Sequence, residues 1–239
     1  MHTLPLPTNF SEEVISPKES ILTWEPCFPG YGTTLGNALR RVLLSSLSGS
    51  AVTAVQIEGV DHEFTAIPGI KEDAVDILLN LKNLRFDLNS EEPVQATLDV
   101  KGAKIITGAD LKLPDGLKVV NPEQVIATMT DKKTELSMVL TIERGRGYVP
   151  VEMRAKESRP IGTLALDAVF SPVMHVGLEV ENTRVGQNTT YEKLHLQVRT
   201  DGSISPQEAV MTSTQILLEQ FGYVFESITG NKPVVGDEL

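Results

Sequence analysis

The residues with the strongest claim to chemistry are three glycines in one short run, Gly30-Tyr31-Gly32-Thr33-Thr34-Leu35-Gly36. Glycines at this spacing, between a strand and a helix, let backbone N–H groups approach a pyrophosphate at the positive end of the helix. The strand-like Ile21-Leu22-Thr23-Trp24 precedes the run, and apolar residues 51–57 end at Glu58, where a ribose-binding acid belongs. An NAD(P)-dependent oxidoreductase built on Gly30, Gly32 and Gly36 is therefore one reading. Two features oppose it. Pro26 and Pro29 stretch a connection that should be tight, and the chain does not alternate strand and helix as a doubly wound sheet must.

Other reactive constellations are weaker. His2, His62, His175 and His195 are scattered, neither HExxH nor CxxC occurs, and Cys27 is the one cysteine. No metal-ligand spacing emerges from them. His62 and Glu63 are neighbours, which places them on opposite faces of an expected strand. Carboxylates are spread evenly, so spacing selects no acid–base pair. No catalytic residue, metal or cofactor is expected in this chain. Arg144-Gly145-Arg146-Gly147 reads as an exposed loop, but four residues without interleaved aromatics make a poor nucleic-acid contact. Arg40-Arg41, set among aliphatics, has the composition of a protein interface.

The charge balance agrees. Across 239 residues, 21 Lys and Arg face 32 Asp and Glu, a net −11. Chains that hold DNA by its phosphates carry a basic surplus, so no strong direct binding of nucleic acid is expected. Hydrophobic residues at 41% suffice for a core, and the length allows one large domain or two ordinary ones. No stretch approaches the ~20 apolar residues that span a bilayer. The start, MHTLPLP, has neither a charged n-region nor an apolar h-region. A single cysteine fits a reducing compartment, so a cytoplasmic location without membrane contact is expected.

The elements form a helix–sheet–helix layout. Val94, Ala96, Leu98 and Val100 alternate with Gln95, Thr97, Asp99 and Lys101, and Leu136, Met138, Leu140 and Ile142 repeat the pattern. So do Leu164/Leu166/Ala168/Phe170, Val176/Leu178/Val180 and Leu194/Leu196/Val198. Such period-2 alternation marks mainly antiparallel sheets with one buried face. One helix, over 71–84, interrupts them, so the expected class is α+β. A helix over 34–47, capped by Thr33 or Thr34, places Leu35, Ala38, Leu39, Val42 and Leu43 on one face. A second, over 205–229, opens with the capping box Ser205-Pro206-Gln207-Glu208 and ends at Gly230. Its Val210, Thr214, Leu217, Phe221, Val224 and Ile228 recur at spacings of 4, 3, 4, 3, 4, the seam of a helix packed along another helix. Such a seam either covers the chain's own sheet or meets a partner.

Beyond these local patterns, the run GTTLGNALRRVLLSS at 32–46 closely resembles the signature of the bacterial DNA-directed RNA polymerase alpha subunit family. In the family's order follow GVDHEF at 59–64, LLNLK at 78–82, RGRGYVP at 144–150, RPIG at 159–162, DAVFSPV at 167–173 and DGSISPQEA at 201–209. The resemblance covers roughly 10–230 and outweighs the dinucleotide reading. It implies a discontinuous dimerisation domain, 1–51 with 172–230, in which two helices pack on an antiparallel sheet. A β-rich domain is inserted at 52–171, and 231–239 forms a polar tail. It also implies a non-catalytic platform that homodimerises and recruits the beta and beta-prime subunits of a nucleotidyltransferase whose active site lies in those partners.

Carried over by resemblance, the beta contacts are Asn37, Arg40, Arg41, Leu44, His62, Glu63, Phe64, Pro68 and Glu72. The beta-prime contacts are Asn80, Lys82, Pro172, Val173, Glu181 and Arg184. The dimer surface comprises Leu35, Leu39, Val42 and Leu43 with Val210, Thr214, Leu217, Phe221, Val224 and Ile228. Family members continue into a C-terminal DNA-binding domain, expected to be absent from a chain that ends at Leu239. The mixed-charge loop at 156–159 replaces an acidic activator-contact loop, so activator contact is not expected there. An alpha-like paralogue or accessory scaffold is a further alternative.

Overall fold

A computed structural model of the chain describes residues 4–154, 160 and 162–230. His2, the 156–159 loop, part of the RPIG motif and the 231–239 tail lie outside the described residues. In chain order the elements begin with β1 (Asn9–Ser16), β2 (Glu19–Cys27), α1 (Tyr31–Ser45), β3 (Ser48–Ile57), α2 (Ala74–Lys82) and β4 (Phe86–Leu88). Next come β5 (Val94–Lys101), β6 (Lys104–Thr107), β7 (Leu117–Val119), β8 (Val125–Met129), β9 (Glu135–Arg146) and β10 (Tyr148–Val149). The remainder is β11 (Thr163–Ala165), β12 (Ala168–Val169), β13 (Val173–Val185), β14 (Asn188–Thr200) and α3 (Pro206–Thr229). The class is α+β. Two compact units result, a terminal unit of residues 1–47 with 173–239 and a middle unit of residues 48–172. A first cut at 51/52 would divide β3, which already pairs with β9 at Ser48.

In the terminal unit the sheet order is β1-β2-β14-β13, with every described pairing antiparallel. Register converts the alternation into two faces. Leu22, Leu196 and Leu178 stand in one row across three strands, and Thr23, His195 and Glu179 stand in the next row on the opposite face. The apolar face is covered from above. Leu39 and Leu43 of α1 and Ala209 and Val210 of α3 close a core over Leu22, Val176, Leu196 and Val198. Gly36 explains how α1 comes so near: a Cβ there would collide with the side chains of Leu178 and Leu194. The ~1 kcal/mol that glycine costs a helix relative to alanine is thus offset by packing.

The middle unit is built on a larger sheet, ordered β5-β9-β3-β4-β7, with β11 also paired to β3. Ile77, Leu78 and Leu81 of α2 lie in one core with Val55, Phe86, Leu98, Leu140 and Ile142. α2 is shorter than the apolar pattern over 71–84 suggests, and the ends show why. Asp73 caps it, accepting from the Asp76 N–H at 2.8 Å. Lys71 and Glu72 are instead tied to β8: the Lys71 N–H donates to the Thr128 carbonyl and Glu72 accepts from the Thr128 N–H. At the far end the Arg85 guanidinium donates to the carbonyls of Lys82 and Leu84 at 2.7 and 3.1 Å.

Three further expectations are corrected here. Arg144, Gly145 and Arg146 lie in β9 opposite Ser50, Gly49 and Ser48, not in a loop; a Cβ on Gly145 would meet the Phe170 ring at 2.7 Å. The alternation over 164–170 is not one strand. It breaks between β11 and β12, where Leu166 donates to the Thr53 carbonyl and Asp167 accepts from the Val151 N–H. His62 and Glu63 occupy a turn rather than a strand, closed by Thr65, whose hydroxyl donates to the His62 carbonyl at 2.8 Å.

Candidate functional site

At about 100° per residue, α1 resolves into three stripes. Its floor is Gly32, Gly36, Leu39 and Leu43, all buried on the sheet. One flank carries Asn37, Arg40, Arg41 and Leu44, all exposed. The other is Tyr31, Leu35, Ala38 and Val42, exposed or half-buried. Of the four α1 residues assigned to a dimer surface, only Leu35 and Val42 lie outward. Leu39 and Leu43 are a correction: they fill the unit's own core, because the floor needs large side chains wherever glycine does not bring the helix down.

α3 is assembled at its ends by local chemistry. The Ser205 hydroxyl accepts from the Glu208 N–H at 3.2 Å, and the Glu208 carboxylate accepts in return from the Ser205 N–H at 3.1 Å. The Ser205 hydroxyl also donates to that carboxylate at 2.7 Å, and this bond first, then the Ser205 N–H, holds the Glu208 carboxyl below the usual carboxylate range. Gly230, at φ 70°, ends the helix with its N–H on the Glu226 carbonyl. Between the caps the seam divides. Val210 is buried and Leu217 half-buried against the unit's own core, which removes Val210 from any free surface. Thr214 is exposed, its hydroxyl turned back to the Val210 carbonyl at 2.8 Å. From there the stripe is bare: Phe221 is 63% exposed, Val224 53% and Ile228 80%, flanked by Leu218 at 52% and Phe225 at 48%.

The middle-unit candidates also separate into exposed residues and residues tied to neighbouring strands. His62, Glu63, Phe64 and Pro68 are exposed, with Phe64 projecting from its turn. Glu72 accepts from the Thr128 N–H at 2.6 Å, and Asn80 donates to the Ile126 carbonyl at 3.0 Å. Lys82 lies 2.9 Å from Asp167, whose other oxygen accepts from the Val151 N–H at 3.1 Å. Lys82 first, then Val151 and the Tyr148 side chain, hold the Asp167 carboxyl below its usual range. Three of the family-like motifs thus meet at one carboxylate. Glu63, Leu79, Lys82 and Asp167 line a groove of 330 Å³. Pro172 and Val173 are buried, so neither offers a side chain as a contact; Glu181 and Arg184, on β13, are exposed.

The glycine run has a different use from the one its spacing suggests. α1 begins one turn earlier than expected, at Tyr31, with Gly30 rather than a threonine at the cap and no side-chain cap bond from it. Glu192 fills the helix N-terminus instead. Its two oxygens accept from the N–H groups of Gly30 and Gly32, each at 2.9 Å. A dinucleotide phosphate needs those same donors, and the chain's own carboxylate holds them. Neither Glu192 nor Asp167 stands out by local pattern, since their partners lie 162 and 85 residues away for Gly30 and Lys82.

Among the described residues, no group of three or more His, Cys, Asp or Glu side chains is placed to hold a metal ion. No described helix is long and apolar enough to cross a membrane. Residues 55–171, within the middle unit, match the family model of the RNA polymerase Rpb3/RpoA insert domain. The chain is 51% identical over 195 residues to the DNA-directed RNA polymerase subunit alpha of Moorella thermoacetica, covering 82% of this chain and 62% of that protein. For the same subunit of Carboxydothermus hydrogenoformans the values are 46% over 217 residues, 90% and 69%. For that of Alkaliphilus oremlandii they are 49% over 197 residues, 82% and 62%. The chain thus spans somewhat under two thirds of the length of two of these relatives. With identity near one half across both units and every motif in order, the chain belongs to the DNA-directed RNA polymerase alpha subunit family.

Proposed function

We propose that this chain is a non-catalytic assembly subunit of DNA-directed RNA polymerase, acting in transcription as a platform and not as the site of nucleotide addition. Two copies pair through the bare half of α3 and the Leu35/Val42 flank of α1. The pair then recruits the beta subunit through Asn37, Arg40, Arg41 and Leu44 and through the turn bearing His62, Glu63, Phe64 and Pro68. Glu181 and Arg184 with the Lys82 groove receive the beta-prime subunit. The observation that carries this reading is the exposed stripe Phe221, Val224 and Ile228, continuous with a seam in which Val210 is buried and Leu217 half-buried in the unit's own core. Each such side chain contributes ~1.5–3 kcal/mol when fully buried, and a self-complementary patch is what a two-fold dimer requires.

Sedimentation equilibrium at micromolar concentration tests it: a dimer is expected, and a monomer would remove the platform reading. Arg41→Ala should leave the dimer intact and weaken beta capture by about tenfold or more, since Arg anchors dominate such contacts. Unchanged capture would remove Arg41 from the interface. Co-expression with both large subunits, followed by an elongation assay, separates a platform subunit from an alpha-like paralogue, which would pair only with a different chain or yield an inactive assembly.

A further inference from the structure

We propose that Glu192 is a positioning residue for α1, setting the start of the helix and so the placement of Asn37, Arg40, Arg41 and Leu44; this rests on the reading of that flank as a beta-subunit contact. The first N–H groups of a helix have no acceptor within it, and the helix dipole favours a negative charge there. α1 lacks a capping side chain of its own, because its N-cap residue is Gly30, which has no side chain to offer and sits in the left-handed region at φ 85°. Glu192 supplies the acceptor from β14, a strand hydrogen-bonded on both sides. Its Cα stands opposite Cys27 of β2 and Asn182 of β13.

The two bonds matter because the first half of α1, apart from the edge-on contact of Tyr31 with the Phe28 ring and the close approach of Gly36 to Leu178 and Leu194, has no large side chain seated on the sheet. Its floor there is Gly32 and Gly36, which present no side chain to interlock with the sheet, and large anchors begin only at Leu39. One carboxylate on two N–H groups of the same turn restrains both sliding along the helix axis and rotation about it. Space at this point is limited: a Cβ on Gly32 would lie 2.8 Å from Glu192 Oε2 and 3.1 Å from Val180 Cγ1. Arg41 is nine residues along, ~14 Å at ~1.5 Å per residue, so a small error at the cap becomes a displacement at the guanidinium.

The full chain is tested as Glu192→Ala, Glu192→Gln, Gly32→Ala and Arg41→Ala, each measured for beta-subunit affinity, dimer formation and the ¹H–¹⁵N shifts of Gly30 and Gly32. Glu192→Ala should weaken beta binding roughly tenfold, the scale of a lost helix cap, leave the dimer assembled, and move both glycine amide protons upfield. Glu192→Gln, which keeps an acceptor oxygen, should recover part of the affinity and one of the two shifts. Gly32→Ala should behave like Glu192→Ala although alanine is the better helix former. If Arg41→Ala loses affinity while Glu192→Ala does not, or if the glycine shifts stay put, the positioning role is overturned. If neither variant loses affinity, the flank is no beta contact, and the proposal falls with that reading. A Glu192→Ala chain that no longer dimerises would show a general folding role instead and would equally overturn it.

Discussion

Two helices of similar apolar content meet different fates in the two units. In the middle unit α2 buries its apolar stripe in a core running from Val52 to Leu166, and the polar residues of its motif are tied to neighbouring strands through Asn80–Ile126 and Lys82–Asp167. In the terminal unit α3 buries Ala209, Val210 and Ser213 and then leaves Leu218, Phe221, Val224, Phe225 and Ile228 in water. Monomers seldom leave so continuous an apolar patch open unless something binds it. The middle unit closes on itself. The terminal unit leaves its stripe uncovered, and on the proposed reading a second copy completes it.

This contrast gives measurable consequences. The largest effect is expected in the middle unit: Leu140→Ala removes a fully buried side chain and should cost ~2–5 kcal/mol, read from denaturant unfolding at any protein concentration. A loss below about 1 kcal/mol would mean that the core is looser than its burial implies. Next, Phe221→Ser with Val224→Ser should abolish self-association at micromolar concentration, while unfolding of the dilute monomer changes little. Equal destabilisation of dilute and concentrated samples would break the comparison, since it would place these side chains in an intramolecular core.

The smallest effect concerns the strut at Asp167, where Asp167→Asn should cost about 1 kcal/mol at neutral pH once partial exposure is allowed for. Because the folded carboxyl sits below its unfolded value, its contribution is present above about pH 4 and is lost as pH falls through the folded pKa. Stability of the variant should therefore decline less steeply than wild type in acid. Parallel acid profiles would show that the ion pair with Lys82 adds nothing.

Much of the architecture was legible locally. The α3 caps follow from Ser205, Pro206, Glu208 and Gly230 because each acts within a few residues of itself, and the bonds found are those the spacing demands. β5 and β14 were visible because alternation survives when one face is wet. Residues 144–147 read as a loop because two glycines suggest one, whereas Gly145 lies in β9 and makes room for the Phe170 ring. The glycine run before α1 was equally ambiguous: the same residues serve a phosphate or a carboxylate, and nothing nearby distinguishes them.

The amino-acid order alone is enough to establish the class, both ends of α3, the alternation along β5, β13 and β14 and the family motifs, since propensity, capping and side-chain period act over a few residues. Which apolar positions are spent inward is a different matter. Leu39 and Phe221 look alike in a helical pattern, yet one lies under the sheet's cover and the other beyond it. The same holds for charge, where Arg41 is exposed while Lys82 meets Asp167. Burial and pairing depend on which surface lies opposite, and that surface comes from strands tens to hundreds of residues away.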